Sequence, residues 1–327
     1  MHNGVSDAAG ITVTAPARLH LGFLDLNGRL GRRFGGIGLA ISDLRTRITI
    51  RRAKRTEVAG HESERVRQYL KIMQRVLALD DAHAVNISEV VPAHAGLGSG
   101  TQLALAVAAG LRHLHNRPVD VEGDAVHLGR GTRSGIGIGL FSRGGLVVDG
   151  GRNDKPTPAP IISRLPFPDH WRILVALDPQ RQGVHGPNEV TTLAALAPMS
   201  DADAGHICRL ILMQALPALA DHDLAGFGAA IKELQMRLGD YFAPAQGGAR
   251  FTSREVAAVL DALDGAGASG IGQSSWGPTG FAFAPSPEEA DRLAEIARQH
   301  PSGRGLDIRV CTGLNCGAEI VAHAHPR

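Results

Sequence analysis

The spacing of apolar residues along the chain predicts a mixture of strands and helices. Residues 11–14 and 46–50 are short β-branched runs, which are typical of strands. Between residues 66 and 77 apolar side chains recur every three or four positions, which predicts a helix. The same patterns predict further strands over 84–90, 144–149, 173–177, 281–284, 308–311 and 318–323, and further helices over 101–115, 119–129, 224–238, 256–263 and 287–299. Mixed elements in both halves indicate an α+β or α/β fold.

A proline-rich segment divides the chain. Residues 152–170 carry five prolines, a density that is typical of an extended connection. A chain of 327 residues is also long enough for about two domains. We therefore predict one domain over residues 1–167 and a second over residues 168–327.

Composition excludes several classes of protein. The 43% hydrophobic and 20% charged residues indicate a globular chain and not a disordered one. With 34 basic and 32 acidic residues and 4% aromatics, nothing favours nucleic-acid binding. The most apolar run, residues 103–111, is far shorter than the ~20 residues of a membrane span. Residues 1–10 do not resemble a signal peptide, and the three cysteines form no CxxC pair, which leads us to expect reduced thiols in the cytoplasm.

A glycine-rich loop is the strongest local signal. Residues 92–101 read PAHAGLGSGT and precede an alanine-rich helix. Glycines at alternate positions let backbone N–H groups point into one concavity, beside the positive end of the helix dipole. The loop has neither the GK[ST] ending of a Walker loop nor the spacing of a Rossmann fingerprint. It predicts a phosphate or pyrophosphate site, with a ligand-free helix start as the alternative. The residues concerned are Gly96, Gly98, Ser99, Gly100 and Thr101.

Three stretches together resemble the GHMP kinase superfamily, which includes galactokinase, homoserine kinase and mevalonate kinase. The glycine loop is similar to the second motif of that superfamily, residues 16–22 (PARLHLG) to the first, and residues 270–280 (GIGQSSWGPTG) to the third. The resemblance implies an α+β fold of two domains, with a phosphate loop in the N-terminal domain and a ferredoxin-like C-terminal domain. It also implies a phosphate-bearing ligand between them.

Two positions depart from the kinase pattern. Gly137 stands where the kinases commonly carry a catalytic aspartate, and Arg130 stands where a metal-binding glutamate is usual. Glycine cannot accept a proton, and a cation cannot replace a metal-binding anion, so both changes oppose phosphoryl transfer. In homoserine kinases, however, the catalytic aspartate is not obligatory. An ATP-dependent small-molecule kinase therefore remains an alternative, as does a non-catalytic sensor of nucleotides or sugar phosphates.

The strings at residues 16–41, 130–151 and 270–283 resemble one branch of the superfamily, the β-ribofuranosylaminobenzene 5′-phosphate synthases. That resemblance implies decarboxylating transfer of a phosphoribosyl group from phosphoribosyl pyrophosphate to 4-hydroxybenzoate or 4-aminobenzoate. The products would be a β-ribofuranosyl-arene 5′-phosphate, carbon dioxide and pyrophosphate. The resemblance further implies Mg²⁺ as cofactor, a homodimer, and an early place in tetrahydromethanopterin biosynthesis.

The matched motifs suggest site residues, each with a structural alternative. Arg18 and His20 are expected just after the first strand and would bind a phosphate or the acceptor. The structural alternative is that Arg18 is a surface cation and His20 a core residue. Arg133 would bind an anionic acceptor. With these three, Ser274 completes the predicted catalytic set. The predicted substrate-binding residues are Asp25, Arg32, Gly36, Ser134, Glu189, Ser275 and Trp276.

Overall fold

The computed structural model describes residues 9–183, 191–192 and 195–324. Its strands form one sheet of seven strands and one of four. Within the described ranges, no helix combines the length and the apolar character needed to span a bilayer.

The first sheet is built on a long antiparallel hairpin. Strand β1 (Gly10–Asp25) pairs with β2 (Phe34–Ala53) along nearly its whole length. On the far side of β2 follow β4 (Ala82–Glu89) and the short parallel strand β3 (Glu57–Ala59). The remaining strands are β5 (Leu146–Asp149), which pairs with β2, β6 (Ile161–Leu165), which pairs with β5, and β11 (Glu319–His323), which pairs with β1.

Four helices accompany this sheet: α1 (Ser63–Leu77), α2 (Ser99–Leu114), α3 (Val121–His127) and α4 (Ile136–Arg143). Helix α2 is buried along most of its length and packs on β1, β2 and α1. Its small side chains permit this close packing, and at Gly110 a Cβ atom would lie 2.8 Å from Cδ1 of Ile50 on β2. The packing fixes the start of α2, at Ser99, relative to β1.

The second sheet has the ferredoxin-like order. Its strands are β7 (Arg172–Leu177), β8 (Ser269–Gln273), β9 (Gly280–Ala284) and β10 (Asp307–Cys311), arranged β10-β7-β9-β8 with antiparallel pairs throughout. The helices include α5 (Asp201–Leu210), α6 (Leu216–Ala220), α7 (Leu224–Phe242), α8 (Arg254–Gly265) and α9 (Pro287–Gln299), with a π-helical turn at Ile211–Ala215 and 3₁₀ turns at Ala243–Gln246 and Pro301–Gly305. The succession of strands and helices gives the βαββαβ motif. The predicted α+β class and ferredoxin-like second part are thus confirmed.

One hydrophobic core joins the two sheets. Leu19 and Leu21 of β1 share it with Phe227 and Ile231 of α7 and with Phe281 of β9. The approach is close, because a Cβ at Gly22 would lie 2.7 Å from Cδ2 of Leu234. The second half of β1 is therefore enclosed between the two parts of the molecule, and its polar residues lie at their junction.

Several elements differ from the sequence-based prediction. Strand β1 continues through Asp25, so Arg18 and His20 lie inside the strand and not after it. Strand β6 lies within the predicted linker, where Pro160 and Pro166 flank it at the edge of the sheet. Strand β11 lies in the predicted second domain but pairs with β1 of the first sheet. These differences arise from tertiary pairing, which short windows of sequence do not report.

Candidate functional site

The glycine loop lies where α2 begins. Gly96 and Gly98 have φ values of 82° and 76°, in the left-handed region that favours glycine. Gly98 caps α2, and its carbonyl accepts from the backbone N–H groups of Thr101 and Gln102. The first N–H groups of a helix have no intrahelical acceptor and form a site for an anion. The carbonyl of Leu97 accepts from the N–H of Arg18 at 3.0 Å, which fastens the loop to β1.

The turn between β8 and β9 lies directly on this loop. The Ser274 hydroxyl donates to the Gly96 carbonyl at 2.8 Å and accepts from the His20 N–H at 3.0 Å. A Cβ at Gly96 would lie 2.3 Å from the Ser274 carbonyl oxygen, so the two backbones touch. Ser274 is fully buried, and its hydroxyl is used within the protein. The structure therefore corrects its predicted catalytic role: Ser274 joins the three motifs, and its neighbour Ser275 faces the cleft.

A cleft of about 150 Å³ opens beside the start of α2. Its chemistry is cationic, because the described residues that line it include three arginines and no carboxylate. The lining residues are Arg18, His20, Phe23, Thr101, Gly129, Arg130, Gly131, Thr132, Arg133, Ser134 and Ser275. The structure thus brings together most residues of the predicted catalytic set. Of the two predicted loop hydroxyls, Thr101 lines the cleft and Ser99 is buried.

His20 is the most unusual group in the cleft. Its side chain is 1% exposed, and neither ring nitrogen has a hydrogen-bond partner among the described residues. Gly36 on β2 leaves room for the ring, since a Cβ there would lie 3.1 Å from Nε2. Burial, followed by the charges of Arg18 and Arg133, holds the pKa of His20 well below its usual value. The imidazole is therefore neutral near pH 7 and offers one donor and one acceptor.

Arg18 lies against the glycine loop. A Cβ at Gly98 would lie 2.8 Å from Nε of Arg18, so only glycine lets the guanidinium approach the loop this closely. Arg133 lines the same cleft from the segment that precedes α4. Both charges act on the ring of His20. The cleft therefore combines two fixed cations with a neutral hydrogen-bonding ring.

Sequence reasoning missed a second pair of cations at α2. Arg65 and Arg130 flank Gly100, where a Cβ would lie 2.6 Å from Nη2 of Arg65 and 3.3 Å from Nη1 of Arg130. The Tyr69 hydroxyl accepts from Arg130 at 2.6 Å and from Arg65 at 3.5 Å. One feature of the sequence could have indicated this pair: an arginine at position 130, where the kinases usually have a glutamate. No motif in the sequence indicated Arg65 or Tyr69, which lie on α1.

A buried carboxylate that the sequence analysis also missed fixes the turn before α4. Asp149 accepts from the Ser134 hydroxyl and the Gly135 N–H, both at 2.8 Å, and from the Gly151 N–H at 2.9 Å. Burial raises the pKa of Asp149, and these three hydrogen bonds oppose that rise. Ser134 is thus oriented within the cleft by a group that itself faces away from it.

The position of the usual kinase base is closed by packing. A Cβ at Gly137 would lie 3.1 Å from Cγ2 of Thr101. The Gly137 carbonyl also accepts from Nε2 of Gln102 at 2.9 Å. Helices α2 and α4 therefore touch at this point, and a side chain at position 137 would require Thr101 to shift slightly.

Four predicted substrate-binding residues do not line the cleft: Gly36, which lies against the ring of His20, and three that lie elsewhere. Asp25 ends β1 and accepts from the N–H groups of Asn27 and Gly28, so it caps a turn. Arg32 donates to the Gly151 carbonyl and lines a separate cavity of about 450 Å³. Trp276 is buried in the core, with its ring centroid 4.8 Å from that of Phe242. These three side chains are not among the residues that line the cleft. Glu189 lies outside the described residues.

The residues present do not fit a protein-held metal ion. Within residues 9–183, 191–192 and 195–324, no group of three or more His, Cys, Asp or Glu side chains could hold a metal. Asp149, the carboxylate next to the cleft, is committed to its three hydrogen bonds. Mg²⁺ usually binds through one or two carboxylates together with substrate phosphates, and the described residues that line the cleft include no carboxylate.

Comparison with known proteins identifies the family. Residues 64–141 match the family model of the GHMP kinases N terminal domain, and residues 215–303 match that of the GHMP kinases C terminal region. The chain is 33% identical over 326 residues to beta-ribofuranosylphenol 5′-phosphate synthase of Archaeoglobus fulgidus, covering 95% of this chain and 99% of the relative. This chain belongs to that synthase family, within the GHMP kinases. The synthase of Methanothermobacter thermautotrophicus is 30% identical over 339 residues, covering 95% and 98% of the two chains.

Solved structures support the same fold. Homoserine kinase from Cytophaga hutchinsonii superposes with a TM-score of 0.69 at 15% identity, covering 98% of this chain and all of that one. Mevalonate diphosphate decarboxylase from Staphylococcus aureus gives 0.67 at 14% identity, covering 96% and 98%. The family models and the synthase relatives confirm the predicted superfamily, and the synthase relatives confirm the prediction of a pentosyltransferase-type enzyme.

Proposed function

We propose that this enzyme transfers the phosphoribosyl group of phosphoribosyl pyrophosphate to a 4-substituted benzoate, with loss of carbon dioxide. The observation that carries the proposal is a buried His20 with both ring nitrogens unbonded, in a cleft that it shares with Arg18 and Arg133 and whose described lining includes no carboxylate. The relatives are named for a phenol product, which favours 4-hydroxybenzoate over 4-aminobenzoate as acceptor.

The donor requires stabilisation of a leaving pyrophosphate. As the bond between the anomeric carbon and the pyrophosphate oxygen breaks, negative charge grows on the phosphate oxygens. The first N–H groups of α2 and the Arg18 guanidinium lie beside the glycine loop and are suited to meet that charge. Fixed donors of this kind act strongly in a cleft that excludes water, because they need no reorientation during the reaction.

The acceptor attacks through the ring carbon that bears its carboxylate. The ring electron pair forms the new carbon–carbon bond while pyrophosphate departs, and the para oxygen donates electrons to the ring. The bond to the carboxylate then breaks, its electron pair restores the aromatic ring, and carbon dioxide leaves. No alcohol has to be deprotonated at the attacking atom, which agrees with the closed position at Gly137.

A small slot adjoins the cleft on the side of α7, and it shares His20, Phe23 and Ser275 with the cleft. Its other lining residues are apolar and polar: Gly22, Leu238, Gly239, Phe242, Gln235, Gln273 and Arg250. The slot measures about 20 Å³, so an aromatic ring would extend from it into the cleft. We assign the acceptor ring to this junction, with its carboxylate towards Arg18 and Arg133 and with His20 at hydrogen-bond reach of the bound acceptor.

Two further parts of the proposal concern the metal and the pathway. We propose that Mg²⁺ enters on the donor's phosphates, since the described cleft lining lacks carboxylates. The reaction would be an early step of tetrahydromethanopterin biosynthesis, as the family resemblance implies.

The deciding experiment measures release of labelled carbon dioxide. Purified protein is mixed with Mg²⁺, phosphoribosyl pyrophosphate and carboxyl-labelled 4-hydroxybenzoate or 4-aminobenzoate. We expect release that depends on the donor and is faster with the hydroxy acid. Absence of release with both acids from folded protein would refute the proposal. ATP consumption with a panel of small alcohols would then test the kinase alternative.

A further inference from the structure

Two guanidinium groups share one hydroxyl at the first turn of α2. Arg65 and Arg130 both donate to the hydroxyl of Tyr69, and we call these three residues the arginine brace. The Cζ atom of Arg130 also lies 5.3 Å from the centroid of the Tyr69 ring. Tyr69 is buried on α1, so it holds both cations in fixed positions beside Gly100.

The brace carries more positive charge than its surroundings compensate. Arg65 pairs with Glu62 at 2.9 Å. In the described part of the chain Arg130 has no carboxylate partner, and its Nε atom is buried without a hydrogen bond. Two like charges beside the positive end of a helix repel one another, which destabilises the protein unless an anion binds between them.

A second observation in the same cleft also points to a ligand. The ring of His20 is buried with both nitrogens unbonded, and it lines the cleft together with Thr101 and Arg130. Cationic groups lie at two nearby points of the glycine loop, Arg18 beside Gly98 and the brace beside Gly100. This arrangement suits an anion with two linked charged groups better than a single phosphate.

We propose that the arginine brace binds the diphosphate of the donor directly at the first turn of α2, without a metal ion held by the protein. The identity of the diphosphate rests on the proposed function. Arg65 and Arg130 contact the anion, and Tyr69 is a positioning residue that acts through them. The cation at position 130 thus supplies charge where the kinases of this superfamily carry an anion. The 5′-phosphate of the donor offers similar chemistry, and the experiment separates the two.

The test measures binding of inorganic pyrophosphate and of ribose 5-phosphate by calorimetry, each with EDTA and with Mg²⁺. The variants are Arg130→Gln, Arg65→Gln and Tyr69→Phe. Arg67→Gln is the matched control, because Arg67 lies on the same helix with a side chain that is 44% exposed and pairs with Glu64. Thermal unfolding of every variant confirms that it is folded.

We expect the unchanged protein and the Arg67→Gln control to bind pyrophosphate equally in EDTA. Loss of a charged hydrogen bond predicts about tenfold or greater weakening in Arg130→Gln and Arg65→Gln. Tyr69→Phe should weaken binding less, by roughly threefold to tenfold, since both arginines remain but lose their shared acceptor. Ribose 5-phosphate binding should stay unchanged in the same variants.

Three results would overturn the inference. These are no pyrophosphate binding by the unchanged protein in EDTA, equal binding by Arg130→Gln and the control, or loss of ribose 5-phosphate binding instead of pyrophosphate binding. The result is separable from the proposed function. Pyrophosphate binding that depends on the brace, together with no carbon dioxide release, would keep the site and reject the reaction.

Discussion

Among the described residues, buried histidines lie in two regions, which differ in how the ring nitrogens are bonded. In the cleft, both nitrogens of His20 lack a partner among the described residues. Behind the first sheet, His83 on β4 is equally buried but fully bonded, with Nδ1 3.2 Å from Gln74 Nε2 and Nε2 2.7 Å from His115 Nε2. Burial lowers the pKa of both His20 and His83. Burial of a histidine therefore does not by itself indicate a binding site. The feature that distinguishes His20 is that its buried ring nitrogens have no hydrogen-bond partner among the described residues.

The largest expected effect is a loss of activity on replacement of His20, but not of His83. His20→Leu removes both nitrogens and keeps much of the side-chain volume. Because the folded protein does not use those nitrogens, we expect an unchanged or raised melting temperature. Carbon dioxide release should fall by about 100-fold or more, as for loss of one fixed group at a developing charge. Steady-state kinetics and thermal unfolding check both expectations.

The matched variant His83→Leu should show the opposite pattern. It removes two bonded nitrogens and leaves Gln74 and His115 without their partner, which predicts destabilisation of about 1–3 kcal/mol. The turnover of the folded variant should equal that of the unchanged protein. If both histidine variants lost activity in parallel with stability, the contrast between a site and a structural pair would be wrong.

Arg133→Ala tests the acceptor side of the cleft. If Arg133 holds the carboxylate of the acceptor, the KM for the benzoate should rise by about tenfold or more, while the KM for the donor stays near its original value. Arg143→Ala is the control, because Arg143 is an exposed arginine at the end of the neighbouring helix α4. An unchanged acceptor KM in Arg133→Ala would remove that role.

Ser274 and Ser275 repeat the comparison on a smaller scale. Ser274→Ala removes a hydroxyl that joins the β8–β9 turn to the glycine loop and to β1, which predicts destabilisation of about 1–3 kcal/mol. Ser275 faces the cleft with a positive φ of 56°, a conformation that glycine adopts readily, so Ser275→Gly removes the hydroxymethyl group without straining the backbone. We expect Ser275→Gly to retain the melting temperature and to change KM values. Equal loss of stability in both variants would contradict this distinction.

The sequence predicted the parts of the site that lie in continuous motifs. The glycine loop, Arg18, His20 and Arg133 lie within or beside such strings, and all contribute to one cleft. The arginine brace and Asp149 were not predicted, because Arg65 and Tyr69 lie on an amphipathic helix whose pattern indicates only a core face. Their role depends on which helix α1 packs against, and that contact is tertiary.

The fold shows the same division between local and long-range information. Periodicity predicted α1 and α7 near their observed bounds, because each has an apolar stripe with helical spacing, and the alanine- and leucine-rich composition did the same for α2. It did not predict the return of β11 to β1, since a strand's own pattern does not specify its partner. Periodicity also could not show whether Trp276 packs in the core or lines the cleft, because an apolar side chain suits either environment. In the structure it packs against Phe242.

The smallest expected effect is the dependence of the free energy of unfolding on pH that arises from the His83–His115 pair. Burial, then the charge of His115, lowers the pKa of His83 to about 4. In the unfolded chain a histidine titrates near its usual value of about 6.5. The unfolded state therefore binds the proton more readily, and the free energy of unfolding should fall as the pH drops from about 6.5 towards 4. Asp81, whose Oδ2 atom lies 3.7 Å from Nδ1 of His115, and Arg52 also face this pair, so their charges belong to the same equilibrium.

Denaturant unfolding at several pH values should give a shallower pH dependence of the free energy of unfolding for His83→Leu than for the unchanged protein across this range. Because His20 is buried and also titrates below its usual pKa, His20→Leu should remove a comparable part of the dependence, and equal slopes in all three proteins would show that neither histidine is linked to folding.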